Sequence, residues 1–221
     1  MRYKNYICDL DGTLLNTIDD LHVSVNHALR KNGLPERSLA EVLSFVGNGQ
    51  RALIERAMPS DGEAHPQFSV VYEDFRAHYA VHCDDRTRPY DGVIEMLRAL
   101  KDDGCRIAVV SNKVDADVQL LMPVYFKDLV DVAVGEDEAA GIRKKPAPDA
   151  VFKAMQVLGA TKEDSVFIGD SEVDFQTAVN SGLPCISVLW GFRTREFLEG
   201  FGAYDFVTHP DEIVRRQTKL F

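Results

Sequence analysis

The sequence has few cysteines, a deficit of basic residues and no long apolar segment, and each shortage excludes a class of protein. Its four cysteines, Cys8, Cys83, Cys105 and Cys185, are widely scattered and form no C-x-x-C pair. We therefore expect neither a zinc site nor a disulfide framework. Scattered reduced thiols are typical of proteins of the cytosol.

The charge balance argues against large polyanionic partners. Lysine and arginine total 25 against 35 aspartates and glutamates, which gives a formal net charge of -10. Nucleic acids and anionic membranes select for clustered basic residues, so we expect no nucleic acid and no membrane as partner. A small anionic substrate stays compatible with this charge if a few cations and a metal converge on it.

No apolar stretch approaches the roughly 18 residues needed to span a bilayer, and the first residues lack the apolar region of a signal peptide. We therefore expect a cytoplasmic protein. The chain has 221 residues and 45% hydrophobic content, enough for a core domain that carries a smaller one. We expect a monomer or a small homo-oligomer.

The order of the predicted elements indicates an α/β protein with a helical insertion. Residues 17 to 83 carry only helical signals, including two expected capping boxes, Thr17 with Asp20 and Ser38 with Glu41. We expect this insertion, residues 16–85, to form a separate helical domain. The core domain would then comprise residues 1–15 and 86–221.

Short β-branched runs alternate with helices in the predicted core. After "NYIC" these runs are "RIAVV" (106–110), "LVDVAV" (129–134), "SVFIG" (165–169), "PCISVLW" (184–190) and a weaker "YDFV" (204–207). Helices between short buried strands predict right-handed crossovers and a Rossmann-like, doubly wound parallel sheet.

Polar residues follow several of these strands. They are Asp9 and Asp11 after the first strand, Ser111 and Asn112 after "RIAVV", and Asp170 after "SVFIG", with Asp174 one helical turn further on. In an open parallel sheet, ligands bind beyond the carboxyl ends of the strands, where the strand order reverses. We therefore expect these groups to share one rim of the sheet.

The aspartate pair after the first strand indicates a cation. Positions i and i+2 of a strand face the same side, so the carboxylates of Asp9 and Asp11 would each raise the pKa of the other. A divalent cation relieves this repulsion. The carboxylates of Asp9, Asp11 and Asp170 with water make a hard-oxygen site suited to Mg²⁺.

Further groups near this rim suit a phosphoryl group. The segment "RKKPAPD" would bring Lys144 or Lys145 to the rim, beside the Ser111 hydroxyl and the backbone N–H groups after the first strand. Phosphoryl transfer needs mainly positioning and charge neutralisation. With a carboxylate in line as nucleophile, an aspartyl-phosphate intermediate is the natural route.

Four stretches, in order, resemble the four motifs of the haloacid dehalogenase-like (HAD) hydrolase superfamily: "DLDGTL", "VVSN", "KPAPDAVF" and "GDSEVD". The stretches "FVGNGQRALIERAM" and "WGFR" are similar to its phosphoglycolate phosphatase-like branch. Four motifs on matching predicted elements are far more specific than any one of them. The resemblance implies a HAD core with an inserted helical cap. It also implies an Mg²⁺-dependent phosphatase for a small phosphomonoester, with 2-phosphoglycolate as the leading candidate.

The resemblance implies catalytic and metal-binding roles for the matching acids. Asp9 would be the nucleophile, and Asp11 the general acid for the leaving alkoxide and then the base for the attacking water. Asp9 and Asp170 would ligate Mg²⁺ by side chain and Asp11 by its backbone carbonyl, while Asp174 supports the site. The residues alone suggest the Asp11 carboxylate as a metal ligand. With the backbone carbonyl of Asp11 in that role instead, the carboxyl group is free to move a proton.

The resemblance also implies how the substrate is held. Ser111, Asn112 and Lys145 would bind the phosphoryl oxygens; Lys145 is favoured over Lys144 because the family's lysine directly precedes the proline. In the cap, which closes over the site and excludes water, the candidate substrate contacts are Gly47, Asn48, Gly49 and Arg51. A cap of this size indicates a small phosphorylated metabolite as the partner.

Rival functions stay in view. A dehalogenase needs no metal and lacks the second motif aspartate, so the acids speak against it. A sugar phosphomutase shares all four motifs, but the mutase-like branch places a histidine where this chain has Leu21, one residue before His22. Pyrophosphate hydrolysis stays open. His78 and His82 lie four residues apart as metal ligands can, but packing in the cap helix or exposure to solvent is the favoured interpretation because no third ligand or H-E-x-x-H pattern accompanies them.

Overall fold

The computed structural model describes residues 3–59 and 62–218, and the chain divides into two compact units. Unit 1 comprises Met1–Leu15 and Pro89–Phe221, and unit 2 comprises Asn16–Arg88. The chain passes between the units at two short strands, β2 (Leu15–Asn16) and β3 (Arg88–Pro89). The helical segment is therefore a compact insertion between two parts of an α/β unit.

Unit 1 is built on a parallel sheet that has six strands in the described part of the chain. The strands are β1 (Asn5–Cys8), β4 (Arg106–Val114), β5 (Val132–Glu136), β6 (Ser165–Gly169), β7 (Cys185–Val188) and β8 (Phe206–Val207). The helices are α5 (Val93–Asp102), α6 (Asp115–Tyr125), α7 (Asp149–Leu158), α8 (Glu172–Ser181), α9 (Arg195–Gly200) and α10 (Pro210–Thr218). The predicted Rossmann-like α/β class is confirmed.

The order of the strands places the carboxyl ends of β1, β4 and β6 side by side. The sheet runs β5-β4-β1-β6-β7-β8, so the chain leaves β1 on one side and returns to its other side with β6. Cys8, the last residue of β1, is level with Val109 on β4 and with Ile168 on β6. This reversal at β1 is where an open α/β sheet binds its ligand.

Three strands of the sheet are buried along their whole length. Every residue of β1, β6 and β7 is buried, as expected for strands with both faces covered. Helix α7 covers one face with Val151, Ala154 and Leu158, which recur at helical spacing. Burial of this apolar surface is the main contribution to the stability of unit 1.

Four strands differ from their predicted bounds: β7 and β8 are shorter than the runs 184–190 and 204–207, β4 is longer than its run, and β5 is displaced. Strand β4 continues past Val110 to Val114, with an irregular register against β5 over those residues. The run "LVDVAV" forms a strand only from Val132 onward. The residue before that strand, Asp131, bonds to β4 by both its backbone and its side chain. Its backbone N–H donates to the Ile107 carbonyl at 2.8 Å, and its carboxylate accepts from the Ile107 N–H at 2.7 Å.

Unit 2 is helical. Its helices are α1 (Ile18–Lys31), α2 (Leu39–Phe45), α3 (Gly49–Ala57) and α4 (Phe68–His82), with a 3-10 turn at Gly62–Ala64. The buried apolar faces of α1 and α4 meet, with Val25 and Leu29 on the first and Phe75 and Tyr79 on the second. The ion pair of Lys31 with Asp74, 2.6 Å long, adds a polar contact between these helices.

Only one of the two predicted capping boxes forms. Ser38 and Glu41 cap α2 reciprocally, as expected. Thr17 is the N-cap of α1, but its side chain makes no capping bond, so that prediction is wrong. The carboxylate of Asp20 instead accepts the backbone N–H groups of Arg86 and Thr87 at 2.8–3.1 Å. Asp20 therefore binds the backbone of the segment that follows α4 and does not cap the start of its own helix.

Among the described residues, no helix has the length and apolar character that crossing a bilayer requires.

Candidate functional site

Three acidic side chains meet at the carboxyl ends of β1 and β6. Asp9 directly follows β1, Asp170 directly follows β6, and Asp174 lies in the first turn of α8. All three are buried, and one carboxylate oxygen from each lies within 4.8 Å of the others. The sheet topology thus brings together acids that lie far apart in the sequence.

Lys145 is the cation of this cluster. Its Nζ atom lies 2.6 Å from Oδ1 of Asp9 and 2.6 Å from Oδ1 of Asp174. Burial lowers the pKa of Lys145, but the charges of Asp174 and Asp9 outweigh burial and raise it above its ordinary value. Lys144, the other lysine suggested by the sequence, is half-exposed, and its Nζ lies 3.6 Å from Oε2 of Glu136. Lys145 is therefore the lysine that the fold brings to the acids.

One lysine does not neutralise three carboxylates. Burial, followed by the charge of Asp174, raises the pKa of Asp9 well above its ordinary value despite the attraction of Lys145. The same two causes raise the pKa of Asp170, against hydrogen bonds from Phe192 and Thr13. The protein therefore holds a concentration of buried negative charge that a further cation would stabilise.

Asp170 is fixed from two sides. The hydroxyl of Thr13 donates to its Oδ1 at 3.0 Å, and the backbone N–H of Phe192 donates to its Oδ2 at 2.8 Å. Trp190 in turn donates its indole N–H to the Thr13 carbonyl at 2.9 Å. The segment "WGFR" therefore contributes a support for Asp170, which the sequence reading did not identify.

Two glycines allow this close packing. A Cβ atom on Gly191 would lie 2.3 Å from Cβ of Asp170 and 2.3 Å from the Gly12 carbonyl. Gly12 itself has a φ of 93°, and its Cβ would lie 2.5 Å from Oδ2 of Asp170. No larger residue fits at either position unless Asp170 or the segment that packs against it shifts.

The carboxylate of Asp174 is largely occupied by its neighbours. Its Oδ2 accepts from the hydroxyl and the backbone N–H of Ser171 in a capping box at the start of α8, and its Oδ1 accepts from Lys145. Asp174 therefore stabilises its helix and holds Lys145 at once.

Ser111 and Asn112 lie at the end of β4 and are buried. The amide of Asn112 binds the main chain of Lys145 twice: its Oδ1 accepts from N–H at 2.6 Å, and its Nδ2 donates to the carbonyl at 3.2 Å. Asn112 therefore positions Lys145. The Ser111 hydroxyl accepts from the backbone N–H of Lys113 at 3.1 Å. Contacts of Ser111 and Asn112 with phosphate stay predictions.

Asp11 pairs with a second buried lysine. Nζ of Lys113 lies 3.3 Å from Oδ1 of Asp11, and the lysine side chain is 3% exposed. The sequence did not predict a role for Lys113. Residues two apart on a regular strand share a face, and Lys113 follows Ser111 at that spacing, but the apolar run that marks the strand in the sequence ends before both of them.

The predicted cap residues lie at the start of α3 in unit 2: Gly47 and Asn48 precede the helix, and Gly49 and Arg51 lie in its first turn. Gly47 and Gly49 have φ values of 115° and 83°, which favour glycine. Asn48 accepts a hydrogen bond from Arg56 at 2.6 Å, and the Arg51 guanidinium lies 4.9 Å from the centroid of the Phe68 ring. Contact of these residues with a substrate stays a prediction.

The histidines of unit 2 stack on one another. The rings of His27 and His78 lie 4.0 Å apart, and those of His78 and His82 lie 4.3 Å apart. Within the part of the chain that the structure describes, the only group of His, Cys, Asp and Glu side chains arranged to hold a metal consists of Asp9, Asp170 and Asp174. His78 thus packs between His27 and His82.

Comparison with known proteins shows the family to which this chain belongs. Residues 6–188 match the family described as haloacid dehalogenase-like hydrolase. A phosphoglycolate phosphatase of Cereibacter sphaeroides is 36% identical over 210 residues, covering 94% of each chain. One of Thiobacillus denitrificans is 32% identical over 194 residues, covering 86% of this chain and 85% of that one. A crystal structure from Lactobacillus delbrueckii subsp. bulgaricus matches with a TM-score of 0.92 and 34% identity, covering 98% of this chain and 99% of that one.

Proposed function

Because this chain belongs to the haloacid dehalogenase-like hydrolase family and is a phosphatase of that family, we propose that it requires Mg²⁺ and hydrolyses a small phosphomonoester. The reaction proceeds through an aspartyl-phosphate intermediate on Asp9. The single observation that carries the proposal is the buried cluster of Asp9, Asp170, Asp174 and Lys145 at the strand-order reversal.

The donor set fits a hard divalent cation. Three carboxylates and the one lysine paired with two of them leave two formal negative charges when all are ionised. Oxygen ligands in a buried acidic site suit Mg²⁺. Asp9 and Asp170 would hold the ion by side chain and Asp11 by its backbone carbonyl, with Asp174 as support. When bound, Mg²⁺ would offset the charge of the carboxylates and of the phosphoryl oxygens.

Asp9 is the proposed nucleophile. It is the most exposed of the three clustered acids, at 7%, and the ion pair with Lys145 fixes the direction of its carboxylate. An Asp9 oxygen bonds to phosphorus while the bond from phosphorus to the leaving oxygen breaks. Lys145 and the Ser111 hydroxyl hold the phosphoryl oxygens, as positioned groups do in phosphoryl transfer.

Asp11 is the proposed proton donor and acceptor. It lies two residues after Asp9, and its carboxylate is outside the cluster that Lys145 binds. Asp11 gives a proton to the leaving oxygen as the phosphorus bond breaks. It then takes a proton from the water that hydrolyses the aspartyl phosphate, which restores both residues.

The leading substrate is 2-phosphoglycolate. The names of the similar proteins from Cereibacter sphaeroides and Thiobacillus denitrificans, both phosphoglycolate phosphatases, support this choice. We further propose that unit 1 is the catalytic core and unit 2 the cap, with Gly47, Asn48, Gly49 and Arg51 as its substrate contacts. The free, buried cysteines support a cytoplasmic location.

Hydrolysis is favoured over phosphomutase chemistry. The position of the mutase-like histidine is occupied by Leu21, which is buried. The neighbouring His22 has its Nε2 atom 3.0 Å from the Arg37 carbonyl and 3.0 Å from the Asn26 amide. The ring of His22 is thus engaged within unit 2.

The test is release of inorganic phosphate from a panel of phosphorylated metabolites and from p-nitrophenyl phosphate, with Mg²⁺ and with EDTA. We expect activity that EDTA abolishes and that Asp9→Asn reduces to background. Asp102→Asn, which makes the same change at an exposed site, should retain wild-type activity. Normal hydrolysis by Asp9→Asn would refute the covalent mechanism, and activity indifferent to EDTA would refute the metal requirement.

Formation of a sugar 6-phosphate from a sugar 1-phosphate plus a catalytic bisphosphate, without free phosphate, would instead identify a mutase. Release of phosphate from pyrophosphate in preference to every phosphomonoester would identify a pyrophosphatase.

A further inference from the structure

A second buried lysine borders the site, and no step described so far uses it. Lys113 lies on β4, two residues after Ser111. Its side chain is 3% exposed, and its Nζ lies 3.3 Å from Oδ1 of Asp11, whose side chain is 22% exposed. The two lysines of the site thus contact different acids, because Lys145 pairs with Asp9 and Asp174.

The burial of Lys113 requires a carboxylate nearby. An ammonium group removed from water costs several kcal/mol unless an opposite charge accompanies it, and Asp11 supplies that charge. Asp11 depends on this contact in turn. Its Oδ1 is buried and accepts no hydrogen bond from the residues that the structure describes, so the ion pair is a principal restraint on the carboxylate.

We propose that Lys113 is a positioning residue that holds the Asp11 carboxyl group in one orientation, from which Asp11, protonated before the step, delivers its proton to the leaving oxygen and becomes the carboxylate. The inference rests on the proposed function, because it requires Asp11 to be the proton donor. A proton donor must lie within hydrogen-bond reach of the atom that it protonates. Without the ammonium, the carboxylate would rotate among several orientations, of which few reach the leaving oxygen.

The benefit of a positioned proton depends on the leaving group. As the bond from phosphorus breaks, its electron pair stays on the leaving oxygen and the proton of Asp11 bonds to that oxygen. An alkoxide is a strong base and leaves only with a proton, whereas p-nitrophenolate is a weak base and leaves without one. Loss of Lys113 should therefore slow the hydrolysis of alkyl phosphates selectively.

The experiment measures kcat and KM of Lys113→Met and of the wild type with an alkyl and an aryl substrate in saturating Mg²⁺. We expect kcat for 2-phosphoglycolate and for sn-glycerol 3-phosphate to fall about tenfold to a hundredfold, a part of the roughly 10²–10⁴-fold that proton transfer contributes. The kcat for p-nitrophenyl phosphate should change less than about threefold, and KM should stay near the wild-type value for all three, since binding is not what the ion pair serves.

Three comparisons separate positioning from other roles. Lys113→Arg keeps the cation and should recover most of the loss with alkyl substrates. Lys144→Met removes a half-exposed lysine that pairs with Glu136 and should leave both activities unchanged. In an Asp11→Asn background, Lys113→Met should add no further selective loss, because residues that act through one another are not additive.

Equal losses of kcat on alkyl and aryl substrates, or a raised KM on both, would overturn the inference and make Lys113 a phosphate-binding or purely structural residue. Circular dichroism and thermal unfolding check the fold; should Lys113→Met not fold, Lys113→Gln takes its place in the same comparison. A wild type inactive on every substrate would overturn the proposed function and this inference together. A leaving-group effect in Asp11→Asn but none in the Lys113 variants would overturn this inference alone.

Discussion

The hydroxyl of Thr13 donates a hydrogen bond to Oδ1 of Asp170 at 3.0 Å, and both side chains are buried. With the backbone N–H of Phe192 on Oδ2, each oxygen of Asp170 has one donor from the protein. A carboxylate oxygen has a second lone pair for a metal. The protein thus orients Asp170 without saturating it, as expected for groups that support metal ligands.

Replacement of the hydroxyl should weaken metal binding. In Thr13→Val the shape of the side chain is kept but the hydrogen bond to Asp170 is lost. Because that bond lowers the pKa of Asp170, its loss makes the ionised form of Asp170 less favourable. We expect the Mg²⁺ concentration for half-maximal phosphate release to rise about tenfold to a hundredfold. Thr13→Ser retains the hydroxyl and serves as the control. An unchanged Mg²⁺ requirement in Thr13→Val would show that Asp170 needs no such support.

The contact of Gly191 with Asp170 predicts that a single methyl group disables the site. In Gly191→Ala the new Cβ would lie 2.3 Å from Cβ of Asp170, so the "WGFR" segment or Asp170 must shift. Because small misplacements of reacting groups are costly, we expect kcat to fall at least about a hundredfold. Gly200→Ala, where no atom lies within 4 Å of the added Cβ, should keep full activity. Full activity in Gly191→Ala would mean that the segment moves freely.

The stabilisation of the fold by Mg²⁺ should depend on pH. Burial and the charge of Asp174 raise the pKa of both Asp9 and Asp170 above their ordinary values. A carboxyl group with a raised pKa binds its proton more tightly in the folded protein than in the unfolded chain. It therefore imposes no cost on folding below its unfolded pKa and an increasing cost as pH rises toward its folded pKa.

Mg²⁺ bound to the ionised acids should remove this cost. We expect the rise in Tm on adding Mg²⁺ to be clearly larger at about pH 8 than at about pH 5, where protons compete with the ion. Differential scanning fluorimetry with and without Mg²⁺ measures the effect, and Asp170→Asn should abolish most of it. An equal rise in Tm at both pH values would argue against metal binding by these acids.

The bonds of Asp20 predict a role in the stability of unit 2. Asp20 is 3% exposed and holds the backbone N–H groups of Arg86 and Thr87. Asp20→Ala leaves these donors without their charged acceptor and should lower the free energy of unfolding by roughly 2–3 kcal/mol. Asp19→Ala, one residue earlier and partly exposed, should cost far less. Urea unfolding followed by circular dichroism compares the two, and equal losses would contradict the assigned role.

The sequence predicted the α/β class because its strands are short apolar runs separated by helices, a pattern that depends on local composition. Asp9, Asp11, Asp170 and Lys145 were recognisable because each lies in a short motif at a strand or helix boundary. Lys113 was not, because the apolar run that marks β4 ends at Val110 and the strand continues through polar residues. Burial of a lysine on such a continuation depends on the tertiary fold.

The same limit applies to the supporting contacts. The amide of Asn112 looks like a phosphate ligand in the sequence, but in the fold it meets the main chain of Lys145, 33 residues away. The bond between Thr13 and Asp170 joins residues 157 positions apart. No local pattern encodes such approaches, because they arise only when β1, β4 and β6 are assembled side by side.

The place of β6 in the sheet has a consequence for synthesis of the protein. Asp9 leaves the ribosome among the first residues, but its neighbour Asp170 follows only after most of the chain has been made, since β1 pairs with β6. Until then the nascent polypeptide lacks two of the three acids of its cluster. Catalytic competence therefore comes late in translation, and a prematurely terminated product that ends before β6 would be inert however well its first helices had folded.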